Sequence, residues 1–239
     1  MPPCQSGILN EYFMERLVLL HGAVGSADQM IPLREQLSDF FEVHNFEFEG
    51  HGSKSSIDNH FSIPNFVIQL DTFIESVADS VHVFGYSMGG FIALVSAARG
   101  NKAIKSITTL GTKMSWNTQV AASEIKNLDP EKIREKVPKF FEVLQERHGE
   151  HWVDVLSRTA DFMKSLGSSN PISKESMSEI KCPVLLLIGN RDQMVTVEET
   201  REVYDWMMSA TLKVLDDVEH PIEKVDTVLL SRLISDFAS

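Results

Sequence analysis

Val81-His82-Val83-Phe84-Gly85-Tyr86-Ser87-Met88-Gly89-Gly90-Phe91-Ile92-Ala93-Leu94 decides how this chain folds. An apolar, β-branched run meets a knot of small residues, and an apolar helical pattern follows at once. The reading is a strand, a turn too tight for side chains, and a helix. Inside the knot, Gly85 to Gly89 spell G-x-S-x-G. A sharp passage from strand to helix there lifts the Ser87 hydroxyl clear of its neighbours. The glycines answer a steric need, because a strained turn leaves no room for Cβ atoms beside that hydroxyl. A serine that merely starts a helix leaves the same five letters. The rest of the chain therefore has to supply a base, an acid, backbone donors and a sheet.

Working outward, Arg16-Leu17-Val18-Leu19-Leu20 predicts a buried parallel strand, and the small-residue loop His21-Gly22-Ala23-Val24-Gly25-Ser26 follows it. Such a loop sits where open α/β sheets place ligands. Helical spacing runs over 28–38, an alternating strand over 41–48, and a turn-rich loop from Glu49 to Ser56. A helix is predicted over 62–79 with Pro64 in its first turn, where a missing N–H costs nothing. The helix after Ser87 runs over 88–99 and the next strand over 103–110; an edge strand is expected near 8–13.

From 112 to 179 the alternation stops. Three helical patterns follow: near 118–127, from Asp129-Pro130 with a kink expected at Pro138, and over 151–166. Gly167-Ser168-Ser169-Asn170-Pro171 then breaks the chain. Alternation resumes with a strand over 183–188, a helix over 196–208, a strand over 211–215 and a last helix over 221–237. The expected fold class is α/β, a mainly parallel sheet flanked by helices. Its core is 1–111 and 180–239, with 112–179 inserted as a helical cap. A peripheral helical subdomain with no role in binding gives the same pattern.

The 239 residues are enough for one such domain, and 43% apolar residues fit a globular core. The net charge of −12 argues against nucleic acid or an anionic membrane as partner. Cys4 and Cys182 lie far apart and form no disulfide framework or metal spacing, which suits a reducing compartment. Residues 1–10 lack a charged segment followed by an apolar one, and no run reaches the length of a membrane span. The expectation is a soluble, cytoplasmic protein acting on a small molecule. The sequence leaves its oligomeric state open.

A serine hydroxyl is a poor nucleophile at neutral pH and needs a base in hydrogen-bond reach. Histidine suits that task. Of eight histidines, His220 follows the last predicted strand by a short loop, and Asp192 holds the equivalent place after the preceding strand. A carboxylate on one imidazole nitrogen fixes the tautomer and stabilises the imidazolium. The order Ser87, Asp192, His220 is the one this elbow uses. Charge developing on a carbonyl oxygen would meet the backbone N–H of Met88, at the positive end of a helix, and of Ala23. Trp116 and Met114, past the Gly111 turn, and Met194, past Asp192, are candidates to line a substrate pocket; packing under the cap would use the same residues.

These segments together resemble the α/β-hydrolase superfamily over nearly the whole chain. His21-Gly22, Gly50-His51-Gly52-Ser53-Lys54-Ser55, Gly85-Tyr86-Ser87-Met88-Gly89-Gly90 and Cys182-Pro183-Val184-Leu185-Leu186-Leu187-Ile188-Gly189-Asn190-Arg191-Asp192 carry the resemblance in order. It implies a Ser-His-Asp mechanism through an acyl-enzyme, with no metal, no organic cofactor, and a cap shaping the pocket. Two departures stand out. Glu47-Phe48-Glu49 replaces the usual Asp-x-Pro, with a structural effect expected. Glu219 replaces the usual glycine before the base, and if it lies close to the imidazole its charge would favour the protonated ring and push the rate onset to higher pH.

Ser87 disfavours relatives that use aspartate there. Among serine members the chain resembles small carboxylesterases, carbon–carbon bond hydrolases and the menaquinone-pathway lyase, although Phe91 stands where the lyase usually has arginine. The first reading is hydrolysis of an ester or related acyl bond of a small, partly apolar molecule. Carbon–carbon cleavage or a lyase reaction by the same triad is the second. A non-catalytic ligand-binding protein is the third, since fold does not fix function.

Overall fold

The computed structural model describes residues 14–57 and 59–239. The edge strand expected near 8–13 lies outside them. The elements in chain order are β1 (Arg16–Leu20), α1 (Ile31–Leu37), β2 (Glu42–Phe46), α2 (Ile63–Val77), β3 (Val81–Tyr86), α3 (Met88–Ala98) and β4 (Ile104–Leu110). Then come α4 (Thr118–Ile125), α5 (Pro130–Lys136), α6 (Pro138–His148), α7 (Trp152–Ser168) and α8 (Lys174–Ser178). The chain closes with β5 (Val184–Gly189), α9 (Val197–Tyr204), β6 (Ala210–Leu215) and α10 (Thr227–Ala238).

The strands form one sheet in the order β2-β1-β3-β4-β5-β6, and each neighbouring pair is parallel. Side chains alternate across it, so one apolar run serves two layers. Val18, Leu20 and Val83 pack with Phe66 and Leu70 of α2 and with Ile92 of α3. Leu17, Leu19 and Phe84 pack on the other face with Leu33 and Leu37 of α1 and Leu230 and Ile234 of α10. All six residues of β3 are buried, as are the six of β5, which explains why both read as unbroken apolar stretches rather than alternating ones. Because every strand runs the same way, the loops after β1, β3, β4, β5 and β6 gather at one end of the sheet.

Three local expectations are corrected. Pro138 does not kink a continuous helix; it separates α5 from α6. Val137, at φ −135° and ψ 58°, has left the helical region, as a residue before proline is pushed to do, and Pro138 starts the next helix where its missing N–H is harmless. Between Pro171 and Lys181, a stretch to which the sequence reading assigned no element, α8 forms behind a capping box in which Ser173 and Ser176 satisfy each other's backbone N–H groups. The last helix starts at Thr227, not Pro221, because Asp226 accepts from the N–H groups of Val228 and Leu229 and sets its first turn. Helix α7 also runs one turn-residue past Gly167, to Ser168. No described helix is long and apolar enough to cross a membrane.

Candidate active site

At the end of β3 the backbone turns through Ser87, which sits at φ 50° and ψ −114°. Few non-glycine residues adopt that region, and holding one there costs roughly 1–3 kcal/mol. The surroundings enforce it. Ser87 N–H donates to Leu110 O at 2.9 Å, Phe91 N–H donates to Ser87 O at 3.2 Å, and Thr112 Oγ1 donates to the same oxygen at 3.1 Å. A Cβ on Gly89 would stand 2.6 Å from Leu20 Cβ and 2.7 Å from Leu20 O, so only glycine lets α3 pass that close to β1.

His220 and Asp192 meet at the same end of the sheet. The imidazole Nδ1–H donates to Asp192 Oδ2 at 2.7 Å. The other carboxylate oxygen accepts from Met194 N–H at 2.8 Å and Val195 N–H at 2.9 Å. The Asp192 side chain is 1% exposed and that of His220 11%. With Nδ1 committed as donor, Nε2 keeps its lone pair. Tyr86 flanks the ring, the two ring centroids 5.4 Å apart. Ser87 and His220 line one cavity; among the described residues no hydrogen bond joins the hydroxyl to the imidazole. Such contacts are often long until substrate is bound.

The cavity holds about 840 Å³ and its walls are mostly apolar. Ala23 and Met88 line it beside Ser87. Met88 is the first residue of α3, so its N–H has no acceptor within the helix. Trp116 and Met194 line the cavity too. Met114 does not: it is 1% exposed and packs in the apolar layer of α2 and α3. Its N–H and that of Ser115 are taken by Glu199 Oε1 at 2.9 and 2.8 Å, which turns the segment so that Trp116 rather than Met114 meets the cavity.

The loop carrying Ala23 is held from below by His21, which is fully buried. Its Nε2 accepts from Phe48 N–H at 3.2 Å, so Nδ1 carries the proton and donates to Gly22 O at 2.8 Å. Burial lowers its pKa to about 4, and the ring is neutral. Next to it Val24 sits at φ 52°, a rare conformation for a β-branched residue. His148, from the end of α6, holds that strained residue: its Nε2–H donates to Val24 O at 3.0 Å while Nδ1 accepts from Gly52 N–H at 3.0 Å. Glu47 accepts from Ala27 N–H at 2.6 Å and Ser53 N–H at 3.0 Å and so joins the same two loops. Glu219 pairs with Lys224 at 2.6 Å.

Among the lining residues that the sequence reading did not single out are Gln29, Arg147, Thr159 and Glu223. Arg147 of α6 and Gln29 both donate to Glu223 Oε1, at 2.5 and 2.8 Å, across the chain segment that follows His220. Burial would raise the Glu223 pKa, but a hydrogen bond from its own backbone N–H, those from Gln29 and Arg147, and the Arg147 charge together hold the carboxyl below its ordinary range. These contacts are non-local, and a single sequence carries no sign of them. Thr159 did leave a sign. It falls on the apolar stripe of α7 with Val155, Phe162 and Leu166, a polar residue in an apolar phase.

A sharp strand–serine–helix turn thus stands beside a buried Asp–His pair at the carboxyl end of a parallel sheet. The family model described as the alpha/beta hydrolase family matches residues 17–226. The chain belongs to the alpha/beta hydrolase family. Among curated relatives, the (E)-2-((N-methylformamido)methylene)succinate hydrolase of Acinetobacter baylyi is 21% identical, over 87% of this chain and 84% of its own. The pimeloyl-[acyl-carrier protein] methyl ester esterase of Aliivibrio salmonicida is 20% identical, over 85% of this chain and 84% of its own. Among solved structures, an alpha/beta hydrolase enzyme from a Medee basin deep-sea metagenome library superimposes with a TM-score of 0.80 at 16% identity, covering 95% of this chain and 90% of its own. Likeness at that identity speaks for the fold.

Proposed function

We propose that this alpha/beta hydrolase is a serine hydrolase that cleaves an ester or related acyl bond of a small, partly apolar substrate. The observation that carries the reading is the 2.7 Å Asp192–His220 hydrogen bond, made by a histidine that shares a cavity with a serine on a strained elbow. In this reaction His220 Nε2 takes the Ser87 Oγ proton as the oxygen attacks the carbonyl carbon. The carbonyl π pair moves to oxygen, where the N–H groups of Ala23 and Met88 meet the charge. Collapse expels the alcohol, which takes the proton back from His220 and leaves an acyl-serine. Water then repeats the sequence, losing its proton to His220, and releases the acid and the free Ser87. Losing one oxyanion donor in such a site typically costs about 10²- to 10³-fold in turnover.

The helices between β4 and β5 act in this reading as the cap, residues 112–179, over the core of 1–111 and 180–239. Phe140, Val143, Phe162 and Leu166 from that insertion supply apolar walls facing Ser87, and Trp116 and Met194 complete the substrate surface. The test is a fluorophosphonate probe followed by turnover of short-chain aryl esters. Labelling of the wild type and not of Ser87→Ala is expected. Absence of labelling in both would favour a protein that binds a ligand on this fold without turning it over.

Hydrolysis at a bond other than an ester, including carbon–carbon cleavage, is the second reading. It is favoured by the relative named as a hydrolase of a substituted succinate. Labelling of Ser87 without turnover of any aryl ester would point to it.

A further inference from the structure

Thr159 stands apart from the other residues around the cavity. It lies in the middle of α7, on the face that carries Phe162, Met163 and Leu166 to the cavity wall, at spacings of three, four and seven residues. That face is otherwise apolar. Thr159 is 1% exposed, and its Oγ1 has no hydrogen-bond partner among the described residues. A threonine inside a helix can satisfy its hydroxyl on the carbonyl one turn back or in solvent, and this one does neither. Buried polar atoms without partners are uncommon and costly, and each calls for a reason. Valine has nearly the same shape and would fill the site without that cost. Gln29 Oε1 is, among the described lining residues, the other buried side-chain oxygen without a partner, but Gln29 is half-buried and already engages Glu223 through its amide nitrogen.

We propose that Thr159 is a specificity-determining residue whose hydroxyl, set just behind the cavity wall, turns about χ1 to hydrogen-bond an oxygen carried by the substrate away from the scissile bond. The proposal rests on the reading of this cavity as the acyl-transfer site. It narrows the substrate class: the buried chain bears a keto, hydroxy, ether or second ester oxygen, and a plain alkanoate is a poor fit. A plain hydrocarbon chain would fill the cavity and leave the hydroxyl unpaired, so the oxygen-bearing chain gains where the hydrocarbon one does not.

The experiment uses pairs of aryl esters of equal chain length, one all-hydrocarbon and one with a single ether or keto oxygen moved along the chain position by position. The readout is the ratio of kcat/KM within each pair. Wild type should prefer the oxygen-bearing member at one or two positions by about tenfold or more, the size expected of one buried hydrogen bond. Thr159→Val should bring that ratio toward one, and Thr159→Ser should restore it. Thr159→Val should also melt higher than wild type, which separates loss of recognition from loss of folding. A ratio that is the same in wild type and Thr159→Val at every position overturns the proposal, and leaves a packing residue. Fluorophosphonate labelling of the wild type is run alongside. If it fails, the acyl-transfer reading has failed; if it succeeds while the ratios do not move, only the role of Thr159 has.

Discussion

His220 Nδ1 lies 2.7 Å from Asp192 Oδ2, and the second oxygen of that carboxylate is held by two backbone N–H groups, of Met194 and Val195. The aspartate is thus fixed before it fixes the histidine. Asp192→Asn should keep the backbone bonds through its carbonyl oxygen and turn an NH₂ toward the ring. The imidazole would then place its proton on Nε2, where it can no longer accept from Ser87. Turnover should fall about 10³- to 10⁴-fold with folding intact. Steady-state kinetics beside a circular dichroism spectrum would check this, and a fall under tenfold would separate Asp192 from the chemistry.

Gly111 ends β4 at φ 58°, directly against that pair. A Cβ there would stand 3.1 Å from Asp192 Oδ2 and 3.2 Å from His220 Nδ1. Gly111→Ala therefore meets two penalties at once, a left-handed backbone and contacts that force the carboxylate or the ring to yield by a few tenths of an ångström. A stability loss of about 1–2 kcal/mol is expected from the backbone alone. The fall in kcat should exceed what that loss explains at a temperature where the variant is fully folded. Urea unfolding together with kcat at low temperature separates the two effects.

The parts of this site that could be read in the sequence are those whose chemistry is local. Gly85, Ser87 and Gly89 had to be small or hydroxylated because the turn itself requires it, so the elbow was legible without any partner. Asp192 and His220 were legible by position, each just past an apolar run that had to be a strand. Val137 was not, although Pro138 was in plain view: whether a proline kinks or divides a helix depends on what packs on either side. Thr159 was passed over because a threonine among apolar residues reads as filler until its hydroxyl is found unpaired. The Arg147–Glu223–Gln29 junction draws on three distant segments, and no periodicity encodes it.

That junction leads to a separate prediction. Glu223 Oε1 receives both Arg147 and Gln29 at the cavity wall, and so ties α6 to the segment following His220. The Glu223 side chain is 47% exposed, so solvent screens the ion pair and its loss should cost under about 1 kcal/mol of stability. Access should change more than stability. Glu223→Ala is expected to speed labelling of Ser87 by a bulky fluorophosphonate relative to a small one, with the small-probe rate little altered. Equal effects on both probes would mean that the junction does not restrict entry.

Three neutral histidines, His21, His51 and His148, are buried together beneath the loops around Ser87, and their acid–base balance sets how the fold responds to pH. The His21 ring donates to Gly22 O and accepts from Phe48 N–H, His51 stacks on Phe61 with centroids 4.6 Å apart, and His148 bridges Val24 and Gly52. Burial lowers all three pKa values, that of His21 to about 4. In the unfolded chain each takes up a proton near its ordinary value of about 6.5, while the folded chain refuses it. The unfolded state then binds more protons, so stability rises with pH across this range and is lost as pH falls. Full stability is expected above about pH 6.5, with a steady decline down to about 4, to which His21 alone contributes on the order of 3 kcal/mol. Urea unfolding at pH 7.5, 6 and 5 measures the slope. A free energy of unfolding that stays level across those values would mean that these rings are charged in the folded protein, and the bonds that His21 and His148 accept from Phe48 N–H and Gly52 N–H could not stand.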